Sequence, residues 1–230
     1  MPDMNNPLQK KWTEVDSYIA SLFVPADPAL DGALKASDAA GLPSINVSAN
    51  QGKLLMLFAK MLNARNILEV GTLGAYSTIW LARGLVEGGR LITLEYEPKH
   101  AEVAKANLVR AGLADQVEIR VGRASDSLPK LLEERKGPFD LIFIDADKEG
   151  YIEYLQWSLK LARKGTVIIA DNVVRDGAVI DPASTDAMVR GIQRFNQALA
   201  TEKRISATEI QTVGSKGYDG LAIATVIADL

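Results

Sequence analysis

Short apolar runs alternate with longer amphipathic stretches from residue 66 onward. Breaks that contain glycine separate the units, at Gly88-Gly89, Gly112, Gly137-Pro138 and Gly165. Repeated strand–helix units with strongly apolar strands are typical of a parallel sheet that helices cover on both faces. The pattern therefore predicts an α/β fold, with strands at 66–70, 91–95, 117–121, 140–144 and 166–170.

The N-terminal region has helical spacing instead. Apolar residues recur at helical intervals from Leu8 to Val24, and a second helix is predicted over Ala29–Ala40. A third helix begins after Ser48, a suitable N-cap, and continues to Leu62. This third helix carries so many apolar residues that we expect it to be buried on most of its sides.

The C-terminal region predicts a hairpin. A helical stretch near 184–200 precedes two strand-like runs, at about 205–212 and 220–228, with a glycine-rich loop at Gly214–Tyr218 between them. No composition change marks a second domain. We predict one domain over 1–230, in which a helical appendage at about 1–62 precedes a core at about 63–230.

Composition narrows the classes of function. The 230 residues carry a net charge of -3, so no strong basic field indicates nucleic-acid binding. The chain has no cysteine and a single histidine, His100, which excludes disulfides, thiolate nucleophiles and multi-histidine metal sites. The start is polar, without the apolar core of a signal peptide, and no apolar run could span a bilayer. We expect a cytoplasmic protein with no membrane partner.

A glycine turn follows the first predicted strand, in the segment Ile67–Ser77. Glu69 lies near the strand end, and Gly71 and Gly74 have Gly-x-x-Gly spacing. A dinucleotide fingerprint has Gly-x-Gly-x-x-Gly, which brings backbone amides against a pyrophosphate. A carboxylate in the turn would repel a pyrophosphate but suit a cationic ligand. S-adenosylmethionine has a sulfonium and an ammonium group and no phosphate, so the turn favours that cofactor.

Polar side chains also end the later strands. Glu95 closes the second strand, where an acid can accept hydrogen bonds from ribose hydroxyls; a solvated acid facing Lys99 is the alternative. Asp145 ends the fourth strand, and Asp171 with Asn172 ends the fifth. Because parallel strands place their ends close together, these three oxygen-bearing side chains can converge on one ion. Helix capping is the alternative.

An oxygen-only ligand set suits Mg²⁺, which keeps water and open positions for a substrate. Lys148 follows Asp145 by three residues. A lysine beside a metal in a desolvated pocket can act as a base, whereas a solvated lysine at the start of a helix is the alternative.

These motifs resemble the metal-dependent, class I S-adenosylmethionine O-methyltransferases of the caffeoyl-CoA and catechol type, including bacterial members. The resemblance covers about residues 42–228. It rests on Ile45-Asn46-Val47, Glu69-Val70-Gly71 with Tyr76-Ser77, Glu95, Gly122-Arg123-Ala124-Ser125, Asp145-Ala146-Asp147-Lys148 and Ala170-Asp171-Asn172-Val173. It implies a three-layer, Rossmann-like methyltransferase fold, with a seven-stranded, mostly parallel sheet of order 3-2-1-4-5-7-6 and an antiparallel C-terminal hairpin.

The resemblance also implies roles for individual residues. Glu69 and Ser77 would hold the methionine end of the cofactor, Glu95 the ribose, and Ala124 would lie by the adenine. Lys148 would be the base, with Asp145 as the second catalytic residue. The divalent ion would be Mg²⁺, with Mn²⁺ and Ca²⁺ as alternatives, bound by Asp145, Asp171 and Asn172. The implied cofactor-binding set is Val47, Glu69, Gly71, Thr72, Ser77, Glu95, Ala124 and Asp145.

The function that follows is methyl transfer from S-adenosylmethionine to a phenolic hydroxyl of a catechol-like small molecule. A tRNA wobble-uridine methyltransferase of the same fold is the nearest alternative, since Arg175, Arg190, Arg194 and Lys203-Arg204 could form a basic patch. A nicotinamide-dependent oxidoreductase and a non-enzymatic scaffold are the remaining alternatives. The N-terminal helices carry more apolar surface than one face of a sheet needs, and members of the family that the chain resembles often form dimers. We therefore predict a homodimer.

Overall fold

The computed structural model describes residues 6–229, so the first five residues of the predicted N-terminal appendage and the last residue of the predicted core lie outside the described part. Seven strands form one sheet with the order β3-β2-β1-β4-β5-β7-β6, as predicted. The strands are β1 Asn66–Val70, β2 Arg90–Glu95, β3 Val117–Val121, β4 Leu141–Ile144, β5 Val167–Asp171, β6 Ile205–Gly214 and β7 Gly217–Val226.

Parallel pairing joins β1 to β2, β2 to β3, and β4 to β5, whereas β7 runs antiparallel to both β5 and β6. The α/β fold class and the appended hairpin are therefore confirmed.

Among the helices of the described residues, none is both long and apolar enough to cross a membrane. The helices are α1 Pro7–Phe23, α2 Pro28–Ala39, α3 Ala49–Met61, α4 Tyr76–Ala82, α5 Pro98–Arg110, α6 Ala124–Glu133, α7 Tyr151–Lys160 and α8 Ala187–Thr201.

The described chain divides into two compact units, residues 16–127 and residues 6–15 with 128–229. In the first unit, strands β1 and β2 are buried along nearly their whole length, as expected for a sheet covered on both faces. Local signals set the helix starts. Asp27 accepts hydrogen bonds from the N–H groups of Ala29 and Leu30, and Ser48 forms a capping box with Gln51.

Helix α3 is less buried than its composition predicts. Leu55, Met56 and Ala59 face the core, but Leu57 is 42% exposed and Met61 is 66% exposed. The apolar residues of α3 therefore lie on two faces of the helix. One face is buried, and the other, with Leu57 and Met61, is exposed. The prediction that α3 is buried on most sides is wrong.

The second unit contains β4, β5 and the C-terminal hairpin, with α7 and α8 against them. Tyr151 and Phe195 are both fully buried and meet edge to face, with ring centroids 5.3 Å apart. Gly191 allows α8 to approach the short 3-10 turn that Lys148 begins, because a side chain at this glycine would collide with the carbonyl oxygen of Lys148. Close packing against α8 thus fixes the backbone that carries Lys148.

The C-terminal hairpin is tighter than predicted. The strands β6 and β7 pair as far as Gly214 and Gly217, which leaves only Ser215 and Lys216 in the turn. The predicted loop at Gly214–Tyr218 is therefore too long, because flanking residues that look like loop residues continue the ladder. Near the turn, Gln9 of α1 donates a hydrogen bond from Nε2 to the carbonyl oxygen of Gly214 at 2.9 Å.

Candidate active site

The glycine turn after β1 has a strained backbone. Gly71 has φ of 101°, and two residues with side chains, Leu73 and Ala75, have φ of 50° and 65°. The left-handed region is unfavourable for residues with a Cβ and persists where the surroundings impose it, often at ligand sites. The two hydrogen bonds Gly71 N–H to Leu94 O and Ala75 N–H to Thr72 O help to impose it here.

The second glycine of the motif has a packing role. A side chain at Gly74 would collide with Ser37 Oγ of α2. The carbonyl oxygen of Gly74 accepts a hydrogen bond from Nδ2 of Asn107, a fully buried residue of α5, at 2.9 Å. Gly74 thus lets the turn approach helix α2, whereas Gly71 supplies the backbone conformation.

Glu69 is fully buried beneath this turn and is surrounded by hydroxyl groups. Its Oε1 accepts a hydrogen bond from Ser77 at 2.6 Å, and its Oε2 accepts hydrogen bonds from Thr78 at 2.5 Å and Thr93 at 2.8 Å. Burial of a carboxylate is tolerable because charged acceptors form strong hydrogen bonds with such donors. The structure therefore brings the predicted residues Glu69 and Ser77 together and adds Thr78 and Thr93.

Glu95 is also buried, at 6% exposure, and it holds the glycine turn. Its Oε2 accepts hydrogen bonds from the N–H groups of Thr72 at 3.1 Å and Leu73 at 2.7 Å, while Oε1 accepts one from Glu97 N–H at 2.9 Å. His100 Nδ1 lies 3.4 Å from Oε1. A carboxylate offers about four acceptor positions, so Oε1 keeps capacity for a ligand hydroxyl.

We expect Glu95→Ala to destabilise the turn and to weaken cofactor binding. Loss of hydrogen bonds to a charged acceptor should lower the free energy of unfolding by on the order of 2–3 kcal/mol. Urea unfolding and calorimetric titration with S-adenosylmethionine measure both effects. Glu95→Gln, which keeps one acceptor oxygen, is the matched control and should lose less. Equal cofactor affinity in the alanine variant and the wild type would contradict the role.

Three further residues of the predicted cofactor set occupy different positions. Thr72 is buried, and its Oγ1 lies 2.6 Å from Oγ1 of Thr93, so it joins the same cluster. Val47 is buried just before the N-cap of α3, and Ala124 is the half-buried first residue of α6. The apolar side chains of Val47 and Ala124 take no part in this hydrogen-bond network.

A second polar cluster follows β4. Lys148 is only 7% exposed, and its Nζ donates hydrogen bonds to Asp145 Oδ1 at 3.0 Å and to the hydroxyl oxygen of Tyr151 at 2.7 Å. The Tyr151 hydroxyl in turn donates to the carbonyl oxygen of Asp171 at 2.9 Å. Burial, and then the charge of Asp145, raise the pKa of Tyr151 well above its ordinary value, so this hydroxyl keeps its proton.

Asp171 is 4% exposed, and its Oδ1 accepts a hydrogen bond from Asn172 N–H at 2.8 Å. Burial raises the pKa of Asp171 to about 8; the charge of Asp145 adds to this, whereas the charge of Lys148 acts against it. A bound cation would relieve such an arrangement, in which burial and a neighbouring carboxylate disfavour the ionisation of Asp171. The donor chemistry at Asp145 and Asp171 therefore fits a divalent ion.

The described residues contain no group of three or more His, Cys, Asp and Glu side chains that could hold a metal. A metal at the predicted site would instead use two carboxylates and the amide of Asn172, an oxygen set that suits Mg²⁺. Asn172 has φ of 60°. The structure links Asp145, Lys148 and Asp171 through Tyr151 and attaches Asn172 to Asp171 through a backbone hydrogen bond.

Sequence reasoning missed the role of Tyr151. In the sequence it is an aromatic residue at the start of a helix, which is typical of core packing. Its signal was its spacing, because it lies three residues after Lys148 and six after Asp145. In the fold this spacing places its hydroxyl against both the lysine amine and the end of β5.

A model of the O-methyltransferase family matches residues 26–225 of the chain. The chain belongs to the O-methyltransferase family. This O-methyltransferase is 55% identical over 223 residues to the catechol O-methyltransferase of Niastella koreensis, a match that covers 97% of this chain and 100% of the relative. Membership confirms the predicted resemblance and the predicted enzyme class, an S-adenosylmethionine-dependent O-methyltransferase.

Solved structures agree with this assignment. The O-methyltransferase of Bacillus cereus in complex with SAH superposes with a TM-score of 0.94 at 55% identity, covering 95% of this chain and 99% of that one. TomG of Streptomyces achromogenes, an O-methyltransferase of tomaymycin synthesis in complex with SAM, superposes with a TM-score of 0.93 at 50% identity, covering 96% and 99%. The methyltransferase fold is therefore confirmed.

Proposed function

We propose that this O-methyltransferase transfers the methyl group of S-adenosylmethionine to a phenolic hydroxyl of a catechol-like small molecule, with the help of a divalent ion. The observation that carries the proposal is the pair of strand-end carboxylates, the half-buried Asp145 and the buried Asp171, with the buried Lys148 hydrogen-bonded to the first. The catechol O-methyltransferase name of the Niastella relative and the SAM and SAH complexes of the two solved structures support it.

All of the proposed donor-binding residues except Asp145 lie within residues 16–127. Glu69 and Ser77, which are hydrogen-bonded to each other at 2.6 Å, would hold the methionine end. Glu95 would accept a hydrogen bond from a ribose hydroxyl through Oε1. The rest of the proposed cofactor set, Val47, Gly71, Thr72, Ala124 and Asp145, follows the family pattern. Carboxylates suit this donor because S-adenosylmethionine carries positive charge and no phosphate.

The metal and the base are assigned to residues 128–229. Asp145, Asp171 and Asn172 would hold Mg²⁺, with Mn²⁺ and Ca²⁺ as alternatives. When bound, such an ion would polarise neighbouring oxygens of the acceptor, acting as Lewis acid and template. Lys148, in its neutral form, would accept the phenolic proton at Nζ, and Tyr151 and Asp145 fix the position of that atom.

Alignment of the methyl donor with the acceptor would supply a further part of the rate enhancement. A phenol has a pKa of ~10 and is mostly protonated at neutral pH, so Lys148 would take the proton from the oxygen that receives the methyl group. Holding donor and acceptor in line can lower the barrier by ~7–11 kcal/mol. The buried, hydrogen-bonded setting of Lys148 and Asp171 would serve this end.

Methylation assays with mass-spectrometric detection test the proposal. The protein is dialysed against EDTA and assayed with S-adenosylmethionine and a panel that includes caffeate, catechol and bulk tRNA, with and without added Mg²⁺. We expect methylated catechols only when Mg²⁺ is restored. Full activity in EDTA would contradict the metal role, and methylation of tRNA without methylation of catechols would contradict the acceptor class.

We also propose a homodimer. Helix α1 exposes large apolar side chains, among them Tyr18 at 65%, Leu22 at 57% and Phe23 at 64%. An exposed apolar stripe of this kind is typical of a protein–protein interface. Light scattering at micromolar concentration tests the proposal, and a monomeric mass would contradict it.

A further inference from the structure

The turn after β5 has an unfavourable backbone conformation. Asn172, Arg175 and Asp176 have φ of 60°, 54° and 53°, and Gly177 follows with 82°. Residues with a Cβ rarely adopt the left-handed region, and several in one short turn persist only where the surroundings determine them. This turn begins at Asn172, the proposed amide ligand of the cation. Whatever holds the turn therefore also holds that ligand.

The carboxylate of Asp219 stabilises this turn through hydrogen bonds. Asp219 lies in β7, and its Oδ1 accepts hydrogen bonds from the N–H groups of Val174 at 3.0 Å, Arg175 at 2.9 Å and Gly220 at 2.9 Å. Two of these donors are consecutive residues of the turn. Charge-assisted hydrogen bonds of this kind are stronger than neutral ones, so a single side chain offsets much of the backbone strain.

The neighbouring glycine lets β7 come close enough for these contacts. A Cβ at Gly220 would lie 2.5 Å from Val174 Cγ2 and 2.8 Å from the carbonyl oxygen of Ile210. The carbonyl oxygen of Gly220 accepts a hydrogen bond from Val173 N–H at 3.2 Å. Asp219 and Gly220 thus act together: the carboxylate of Asp219 accepts the hydrogen bonds, and Gly220, which has no side chain, lets β7 approach the turn.

We propose that Asp219 is a positioning residue for the metal site. Through Val174 and Arg175 it fixes the turn 172–177, and through that turn it fixes the amide of Asn172. The Tyr151 hydroxyl holds the carbonyl group of Asp171 on the preceding residue, so the two sides of Asn172 are anchored by different residues. The inference rests on the proposed function, because the position of Asn172 matters to activity only if a cation binds there.

Binding of Mn²⁺, followed by electron paramagnetic resonance, tests the role without any turnover. Removal of residues that support metal ligands typically lowers metal affinity about 10–100-fold, and we expect a loss in this range for Asp219→Ala. Asp219→Asn is the matched control, because its amide oxygen still accepts the turn N–H groups while its charge is gone. Because its hydrogen bonds are neutral and therefore weaker, we expect the asparagine variant to lose some Mn²⁺ affinity, but clearly less than the alanine variant.

A double variant separates turn geometry from other effects. Glycine adopts the left-handed region without steric cost, so Asp176→Gly should restore part of the Mn²⁺ affinity of Asp219→Ala. Circular dichroism and titration with S-adenosylmethionine show whether each variant is folded. If Asp219→Ala does not fold, Asp219→Ser replaces it, since a serine hydroxyl is too short to reach all of these donors, and the same loss is expected.

The outcomes distinguish this inference from the proposed function. A wild-type protein that binds no Mn²⁺ contradicts the metal role itself. A wild-type protein that binds Mn²⁺, with unchanged affinity in folded Asp219→Ala, overturns the positioning role alone. An asparagine variant as defective as the alanine variant also overturns it, because the charge of Asp219 rather than its hydrogen bonds would then be responsible.

Discussion

Asp171→Ala is expected to lower the rate of catechol methylation by more than about 100-fold, since even residues behind the metal ligands change metal affinity or activity about 10–100-fold. Asp171 is almost fully buried, and its Oδ1 accepts a hydrogen bond from the adjacent Asn172 N–H. Its carboxylate thus has capacity for a cation. Alanine removes that carboxylate, so both Mn²⁺ affinity and methylation at fixed Mg²⁺ should fall together.

The matched control is Asp140→Asn. Asp140 directly precedes β4, whereas Asp145 directly follows it, so the control removes a charge at the opposite end of the same strand. We expect the control to keep its Mg²⁺-dependent activity and its Mn²⁺ affinity. The metal role of Asp171 is wrong if Asp171→Ala methylates caffeate at the wild-type rate when both proteins are assayed with Mg²⁺.

Lys148→Met is expected to lower kcat about 10²–10⁴-fold, the usual contribution of a general base. Methionine preserves much of the buried stem but has no amine to accept the phenolic proton. Lys148 is not one of the proposed donor-binding residues, although it contacts Asp145, which is one; affinity for S-adenosylmethionine should therefore fall much less than kcat. Rapid-quench assays at saturating donor and acceptor measure kcat, and calorimetry measures donor binding.

Two comparisons make the Lys148 result specific. Lys164→Met removes the charge of an exposed lysine and should keep full activity. Mn²⁺ titration of Lys148→Met shows whether the lysine acts mainly by holding Asp145, its partner at 3.0 Å. A large loss of Mn²⁺ affinity with little change in kcat at saturating metal would reject the base and leave Lys148 as a positioning residue.

Much of the fold could be predicted because its signals are local. The buried strands β1, β2, β4 and β5 are rich in apolar residues, as a sheet covered on both faces requires. The hairpin turn was harder, because glycines at both ends of Ser215–Lys216 look like loop residues although they pair with each other. The exposure of Leu57 on α3 also escaped prediction, since composition does not say which helix faces are covered.

The candidate site was predictable only in part. The acids at strand ends could be read from the sequence, since a parallel sheet brings such ends to one edge. The left-handed conformation of Leu73 and Ala75 has no sequence signal, because neither residue favours it. The proposed role of Asp219 depends on contacts between residues 44 and 45 positions apart in the sequence, which local patterns do not reveal. The acid next to a glycine in a predicted strand was the one local signal of a special position.

His100 offers a spectroscopic probe of the proposed donor site. It is the single histidine in 230 residues, and its imidazole Nδ1 lies 3.4 Å from Oε1 of Glu95. The ring-proton region of a proton NMR spectrum therefore holds the imidazole signals of one residue, located at the proposed ribose-binding carboxylate. Occupancy of the donor site can be followed on unlabelled protein, in real time, from two resonances.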